Sequence, residues 1–309
     1  MSNYFNKLIN KFKIVSYNDR GILVKKYKNH IDFLKENQCI RISKRHEVYH
    51  HDIITSFDYY FNAVMPLKRF NFSLVDYSKP KYHSVCGFLL HKIIFPSFAE
   101  PLSTTNQYLD FSELNENSVV LDLGAYSGLT SILFDMQIAN GNKNVQGKVI
   151  AVDPDTLNSK CIRKNLSLYK KKTGRNIEFL EAAVWEHNDG VELSVEGNMG
   201  SYVTELAQSR CKPALVKSCT LGVIAEKFSL DRVDFIKCDI EGGEIAIFKD
   251  ENFFKKYQPK IIIETHTINN QGIMSTETVI KQLSKFGYQC EEVIQDGVAL
   301  PLLKCIPTE

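Results

Sequence analysis

"VVLDLGAYSGLTSILF" (residues 119–134) sets the reading of the whole chain. An apolar, β-branched run reads as a strand ending at Asp122, Gly124 permits a tight turn, and Gly128 opens a helix whose N-terminus approaches a bound ligand closely. Strand, glycine turn and helix in that order make Asp122, Gly124, Ala125, Tyr126, Ser127 and Gly128 candidates for a nucleotide-type site. A dinucleotide fold calls for G-x-G-x-x-G with an acid about 20 residues on. Here Tyr126 occupies the middle of "GAYSG", and the next strand-end acid, Asp153, lies beyond an extended loop. An acid ahead of the first glycine suits a cationic ligand better than a pyrophosphate. S-adenosylmethionine, with its positive sulfonium and amino groups, meets that description.

The neighbouring stretch "VIAVDPD" (149–155) supplies a second piece. Asp153, at the end of a second strand, can accept hydrogen bonds from both ribose hydroxyls, and Pro154 starts the following helix where a missing N–H costs little. That helix, "DTLNSKCIRKNLSLYKKK" (155–172), opens with acid, ends in lysines and stops at Gly174, as the helix dipole and a glycine C-cap require.

Outward from these motifs, "IEFLEAAVW" (177–185), "VDFIKCD" (233–239) and "KIIIET" (260–265) read as further strands, several apolar on both faces, with helix-length segments between them. The pattern predicts a parallel α/β sheet. "YQCEEVI" and "ALPLLKCI" across the turn "QDG" predict a closing antiparallel hairpin. Residues 96–309 form this domain and residues 1–95 an N-terminal α+β cap, in which "HDIITSFDYYFNAV" reads as a helix and "FSLVDYSKPKYHSV" as a β-hairpin turning at Lys79 and Pro80.

Composition bounds the function. The 309 residues, 44% hydrophobic, suffice for one large core and a smaller appendage, and 38 basic against 36 acidic side chains give no general attraction for nucleic acid. A basic N-terminal segment, Lys7 to Lys28, reads as solvated, with docking on an acidic partner or a membrane surface as the alternative. Eight scattered cysteines without a C-x-x-C pair suggest reduced thiols and a cytoplasmic protein. Neither a signal peptide nor a membrane span is legible.

"DLGAYSG", "IAVDPD", "AAVWEHNDG", Gly200-Ser201, "VDFIKCDIEGGE" and "IIIETH", in that order, resemble the FkbM family of S-adenosylmethionine-dependent methyltransferases over residues 96–306. The most specific element is the D-x-E-G-x-E block, met by Asp239, Glu241, Gly242 and Glu244. The resemblance implies a Rossmann-like class I fold, a mostly parallel seven-stranded sheet with its antiparallel hairpin, and O-methylation of a hydroxyl on a sugar, glycolipid or natural product. It adds Ala183 to the cofactor-binding set. Tyr126 stands where the family usually has Asn, and Gly222 where it commonly carries Asp.

In an α/β sheet ligands sit outside the carboxyl ends of strands, where Asp239 falls. Lys237 and Asp239 share a strand face, Glu241 follows in a turn permitted by Gly242 and Gly243, and Glu264 and His266 end the next strand two residues apart. Lys237, Asp239, Glu241, Glu264 and His266 are therefore the catalytic candidates, with Asp239 also reaching the cofactor. Glu244, in the first turn of a helix, reads as structural. No metal is required to explain the acids, because a cationic cofactor supplies an electrostatic partner; a divalent cation on the same cluster is the alternative. "HEVYH" (46–50) fits the H-E-x-x-H pattern of zinc proteases, with His46 and His50 as ligands and Glu47 as base, but it follows strand-like "CIRISKR" and lacks a third ligand. A non-catalytic protein that keeps only the nucleotide-binding fold is the remaining alternative.

Overall fold

The computed structural model describes residues 13–17, 20–69, 71–195, 197, 200–204, 206, 213–268, 273–295 and 300–308. The chain divides into two compact units, Met1–Leu102 and Ser103–Glu309.

The second unit is built on a seven-stranded sheet. Its strands are β1 (Val119–Leu123), β2 (Lys148–Val152), β3 (Glu178–Leu180), β4 (Phe235–Cys238), β5 (Lys260–Glu264), β6 (Tyr288–Val293) and β7 (Leu302–Pro307), in the order β3-β2-β1-β4-β5-β7-β6. Strands β3, β2, β1, β4 and β5 pair in parallel, and β7 runs antiparallel to both β5 and β6. This is the mostly parallel α/β sheet with a C-terminal hairpin that the sequence predicts. Every residue of β1 and β4 is buried, because crossover helices cover both faces of the sheet centre. The order reverses between β1 and β4, so a crevice opens at their carboxyl ends.

Helix α1 (Leu129–Ala139) leaves β1 through Gly128, and α2 (Thr156–Thr173) follows β2. Asp155 caps α2, its side chain accepting from the backbone N–H groups of Leu157 and Asn158, and Gly174 closes it at φ 78°. Pro154 therefore precedes the cap rather than starting the helix. The stretch 177–185 is also not one strand: β3 ends at Leu180, and Ala183–Val184 turns away to pair with Ser218–Cys219. The break releases the chain from the sheet edge beside the site.

In the first unit, six strands form a sheet in the order Lys13–Tyr17, Leu23–Lys26, His30–Lys35, Gln38–Ser43, Phe72–Tyr77, Leu67–Arg69. The predicted hairpin at Lys79 and Pro80 is absent. Phe72–Tyr77 pairs in parallel with Gln38–Ser43, while Lys81–His83 pairs with the buried Ile93–Phe95. A parallel pair needs a crossover, and the single helix expected over 51–64 supplies it as two, His50–Thr55 and Phe57–Asn62.

"HEVYH" does not form a zinc site. It falls mostly in a 3-10 helix, Lys44–Tyr49, kinked at His46 (φ −95°, ψ 21°), so the two imidazoles are not a turn apart on one α-helical face. His46 Nε2 instead accepts from Arg45 Nε at 3.1 Å, and Glu47 pairs with Lys26.

Candidate active site

The glycine loop is held from beneath by its own sheet. Gly124 and Ala125 donate their N–H groups to the Val152 carbonyl at 2.9 and 3.0 Å, and Asp239 donates its N–H to Leu123 O at 3.1 Å. Gly124 lies at φ 77°, and a Cβ there would stand 1.7 Å from the carbonyl oxygen of Asp239. The glycine is thus required by the adjacent strand's backbone. Gly128, at the same φ, would place a Cβ at ordinary contact distance, 3.5 Å, from Ile162 and Leu166 of α2, so its left-handed backbone rather than packing calls for glycine. Tyr126 takes φ 51°, a region Asn enters more readily than a bulky residue, which gives the Asn-to-Tyr departure a backbone cost. Ser127 is buried, and its carbonyl accepts from Asn165.

Of the cofactor candidates, Asp122 faces inward. Its carboxylate is 0% exposed, accepts from Ser131 Oγ at 2.5 Å and lies 3.7 Å from Lys237 Nζ. Burial pushes this acid up, offset in part by Lys237 and Ser131. Lys237, opposite Asp122 in the register, is buried too. Its ammonium donates to Gly124 O (2.8 Å) and Leu123 O (3.3 Å) and sits 3.3 Å from Asp239. Burial opposes the charge, but Asp239 and Asp122 outweigh it and hold the lysine above its ordinary value. Lys237 is a fixed cation beneath the loop.

Asp153 is almost fully buried. Its Oδ2 accepts from the Tyr126 N–H (2.8 Å), and its Oδ1 from the Asp155 N–H (2.9 Å). Burial, then Asp155, push it up to about 7. Asp155, which sequence reading treats only as a helix start, also accepts from Gly197 N–H and Ser201 Oγ at 2.8 and 2.7 Å, tying the "GS" segment to the rim. Ala183 is buried, its N–H given to Lys217 O.

The second cluster is brought together as the spacing predicts. His266 is 7% exposed; its Nε2 faces Asp239 Oδ1 at 3.6 Å, Glu264 Oε1 at 3.6 Å and Glu241 Oε1 at 3.8 Å. Asp239 and Glu241 remain partly exposed, at 30% and 27%. Glu241 sits at φ 56° and Gly242 at φ 95°, whereas Gly243 has ordinary helical φ. Only one of the two glycines is thus required by the turn. Glu264 is steadied by Gln295 Nε2 (3.0 Å) and Tyr108 OH (3.4 Å). Burial opposes a charge on His266, but Glu241 and Glu244 outweigh it and raise the imidazole well above its ordinary value. Burial pushes Glu241 up to about 8, with His266 pulling the other way.

Glu244 is the residue that sequence reasoning undervalues. It is fully buried and accepts from the N–H groups of Ile240 and Gly242, and its Oε1 lies 3.0 Å from His266 Nδ1. It orients the imidazole through a contact made 22 residues along the chain. The dipole argument found its position in the helix but not this partner. The ligand atoms of Asp239, Glu241 and His266 all lie within 4.8 Å of one another, the one such metal-capable group among the described residues.

A Rossmann-like sheet with a glycine loop at its reversal and an acid after each flanking strand defines a methyltransferase-type α/β protein. The chain belongs to the FkbM methyltransferase family: the family model described as "Methyltransferase FkbM domain" matches residues 122–290, more than half of its length. Among solved structures, it is similar to the methyltransferase FkbM from Methylobacillus flagellatus (18% identity, TM-score 0.43), over 65% of this chain and 50% of that one, so it spans about half of that protein. It is also similar to a precorrin-6y C5,15-methyltransferase from Geobacter metallireducens (16% identity, TM-score 0.39; 67% and 89% covered). A SAM-dependent methyltransferase from Aquifex aeolicus shows 14% identity and a TM-score of 0.38, with 66% and 90% covered. No curated protein matches it closely enough to count as a relative. No described helix is long and apolar enough to cross a membrane.

Proposed function

We propose that this chain is an S-adenosylmethionine-dependent O-methyltransferase acting on a hydroxyl of a sugar, glycan, glycolipid or natural product. The observation that carries the reading is one residue, Asp239, which joins the glycine loop to the acidic cluster. Its backbone N–H is bonded to Leu123 O, and its partly exposed carboxylate faces His266. A cofactor held at the loop and an acceptor held at the cluster would meet there.

The donor set fits the cofactor. Acids after β2 and β4 suit two ribose hydroxyls and a cationic amino acid moiety. Asp153 would hold the ribose, Asp239 the methionine amino group, and the loop 124–128 the space between. Bound there, S-adenosylmethionine supplies an electrophilic methyl group. The protein's own task is to align the acceptor oxygen and take its proton. Glu241, held in a left-handed turn, is the more open of the two glutamates, at 27% against 14% exposed, and Glu264 is tied to Gln295 and Tyr108.

The test is incubation with labelled cofactor and a panel of nucleotide sugars, lipid-linked glycans and small phenols. Loss of the true base lowers turnover by about 10²- to 10⁴-fold with cofactor affinity intact. Asp239→Asn is expected to impair both. If His266→Ala, Glu241→Gln and Glu264→Gln each keep near-normal turnover at saturating acceptor, proton removal by this cluster is wrong.

A further inference from the structure

We infer that Asp239, Glu241 and His266 form a binding site for one hard divalent cation of the Mn²⁺ or Mg²⁺ type. This reverses the expectation that the acids need no metal. An acidic cluster alone would not carry the inference; the state of His266 does. The imidazole is more than nine-tenths buried, and its Nε2 has no hydrogen-bond partner among the described residues.

That atom points into the cluster, with carboxylate oxygens of Asp239, Glu264 and Glu241 at 3.6, 3.6 and 3.8 Å. A proton on Nε2 would meet these carboxylates only as ion pairs at 3.6–3.8 Å, beyond the about 2.7–3.2 Å of a direct hydrogen bond. A bare lone pair would face three carboxylates. A cation between them satisfies both the lone pair and the oxygens. Neighbouring ligands on an ion with bonds of about 2.0–2.6 Å stand roughly 3–3.6 Å apart; the imidazole-to-carboxylate distances lie near that range, and the three ligand atoms lie within 4.8 Å of one another.

The opposite side of the ring is already arranged for this. Glu244, 0% exposed, accepts from His266 Nδ1 at 3.0 Å and is itself fixed by two backbone N–H groups. A carboxylate on Nδ1 sets the tautomer that leaves Nε2 free to ligate and makes it more basic. The His266 backbone is pinned in turn by Ser275, through N–H to Oγ at 3.1 Å and carbonyl to N–H at 2.8 Å. Two carboxylates and one imidazole suit hard oxygen-seeking ions, and three protein ligands leave positions for water or an acceptor oxygen. A hydroxyl bound at such a position loses its proton more easily. This last use rests on the methyltransferase reading; cation binding does not.

The experiment uses the full chain, dialysed against chelator and kept free of cofactor, titrated with Mn²⁺ while the six-line EPR signal of the free ion is followed. One equivalent is expected to disappear into the bound state. His266→Ala and Glu241→Gln should each weaken binding by more than tenfold, and Glu244→Gln, through the orienting contact alone, by about 10- to 100-fold. Glu251→Gln, an exposed acid paired with Lys255, should leave binding unchanged. Absence of Mn²⁺ binding in a sample that still binds S-adenosylmethionine overturns the proposal, as does binding unaltered in His266→Ala with native circular dichroism. Mn²⁺ bound at these residues without methyl transfer to any acceptor would leave the site standing and bring down the methyltransferase reading instead.

Discussion

Two acids flank the same glycine loop, Asp153 after β2 and Asp239 after β4, and the chain finishes them differently. Around Asp153 the protein sets the carboxylate in place: both oxygens accept backbone N–H groups, and the residue is 4% exposed. Around Asp239 it stops short, leaving two partly exposed carboxylates opposite a buried imidazole nitrogen that has no hydrogen-bond partner among the described residues. The first region is preorganised, its geometry fixed before a ligand arrives. The second has its charges assembled and its contacts unfinished, as a region does when the missing partner is the substrate or an ion.

The most severe way to break this contrast is at the point both regions share. Gly124→Ala puts a Cβ 1.7 Å from the Asp239 carbonyl at φ 77°, where neither backbone can yield without parting β1 from β4. We expect a loss above about 4 kcal/mol and little folded protein. A soluble variant with an unshifted denaturation midpoint would show that the strands are less tightly joined than the structure has them.

Lys237→Met comes next. It keeps the side-chain volume but leaves fully buried Asp122 without its cation, and the expected cost is about 3–5 kcal/mol by urea unfolding. An unchanged midpoint would mean that Asp122 is already neutral and that the lysine serves Asp239 alone.

Asp153→Ala is the mildest and the sharpest. Cofactor affinity should fall by about 1.5–3 kcal/mol per lost charged hydrogen bond, read by calorimetry. In the parent protein the same affinity should weaken, by up to about tenfold per pH unit, as pH falls below about 7, because the ionised carboxylate is the binding form. Stability moves the other way. With the folded value near 7 and the ordinary value at 3.8, the folded chain keeps a proton that the unfolded chain releases between them. The Asp153 contribution to stability is therefore full below about 4, lost as pH rises towards 7, and constant above. Affinity that stays flat across this range, in a protein that still binds, would remove Asp153 from the ribose.

What the sequence determined by itself were the features that local spacing encodes. Alternating apolar runs and helix-length segments predict the parallel sheet, Gly174 ends its helix where the C-cap rule puts it, and the two-residue spacings of Lys237 with Asp239 and of Glu264 with His266 bring those residues to one end of the sheet. Pairing partners and inward or outward facing were decided only by the tertiary structure. Phe72–Tyr77 pairs with a strand more than 30 residues earlier rather than with the segment after Pro80, and "HEVYH" falls mostly in a kinked 3-10 helix. Asp122 and Lys237 turned into the core because the register sets them opposite one another, and Glu244 found His266 across two helices and a strand. The reason is physical. A strand period or a helix cap is a property of neighbouring residues, whereas the partner of a buried charge depends on which distant backbone arrives beside it.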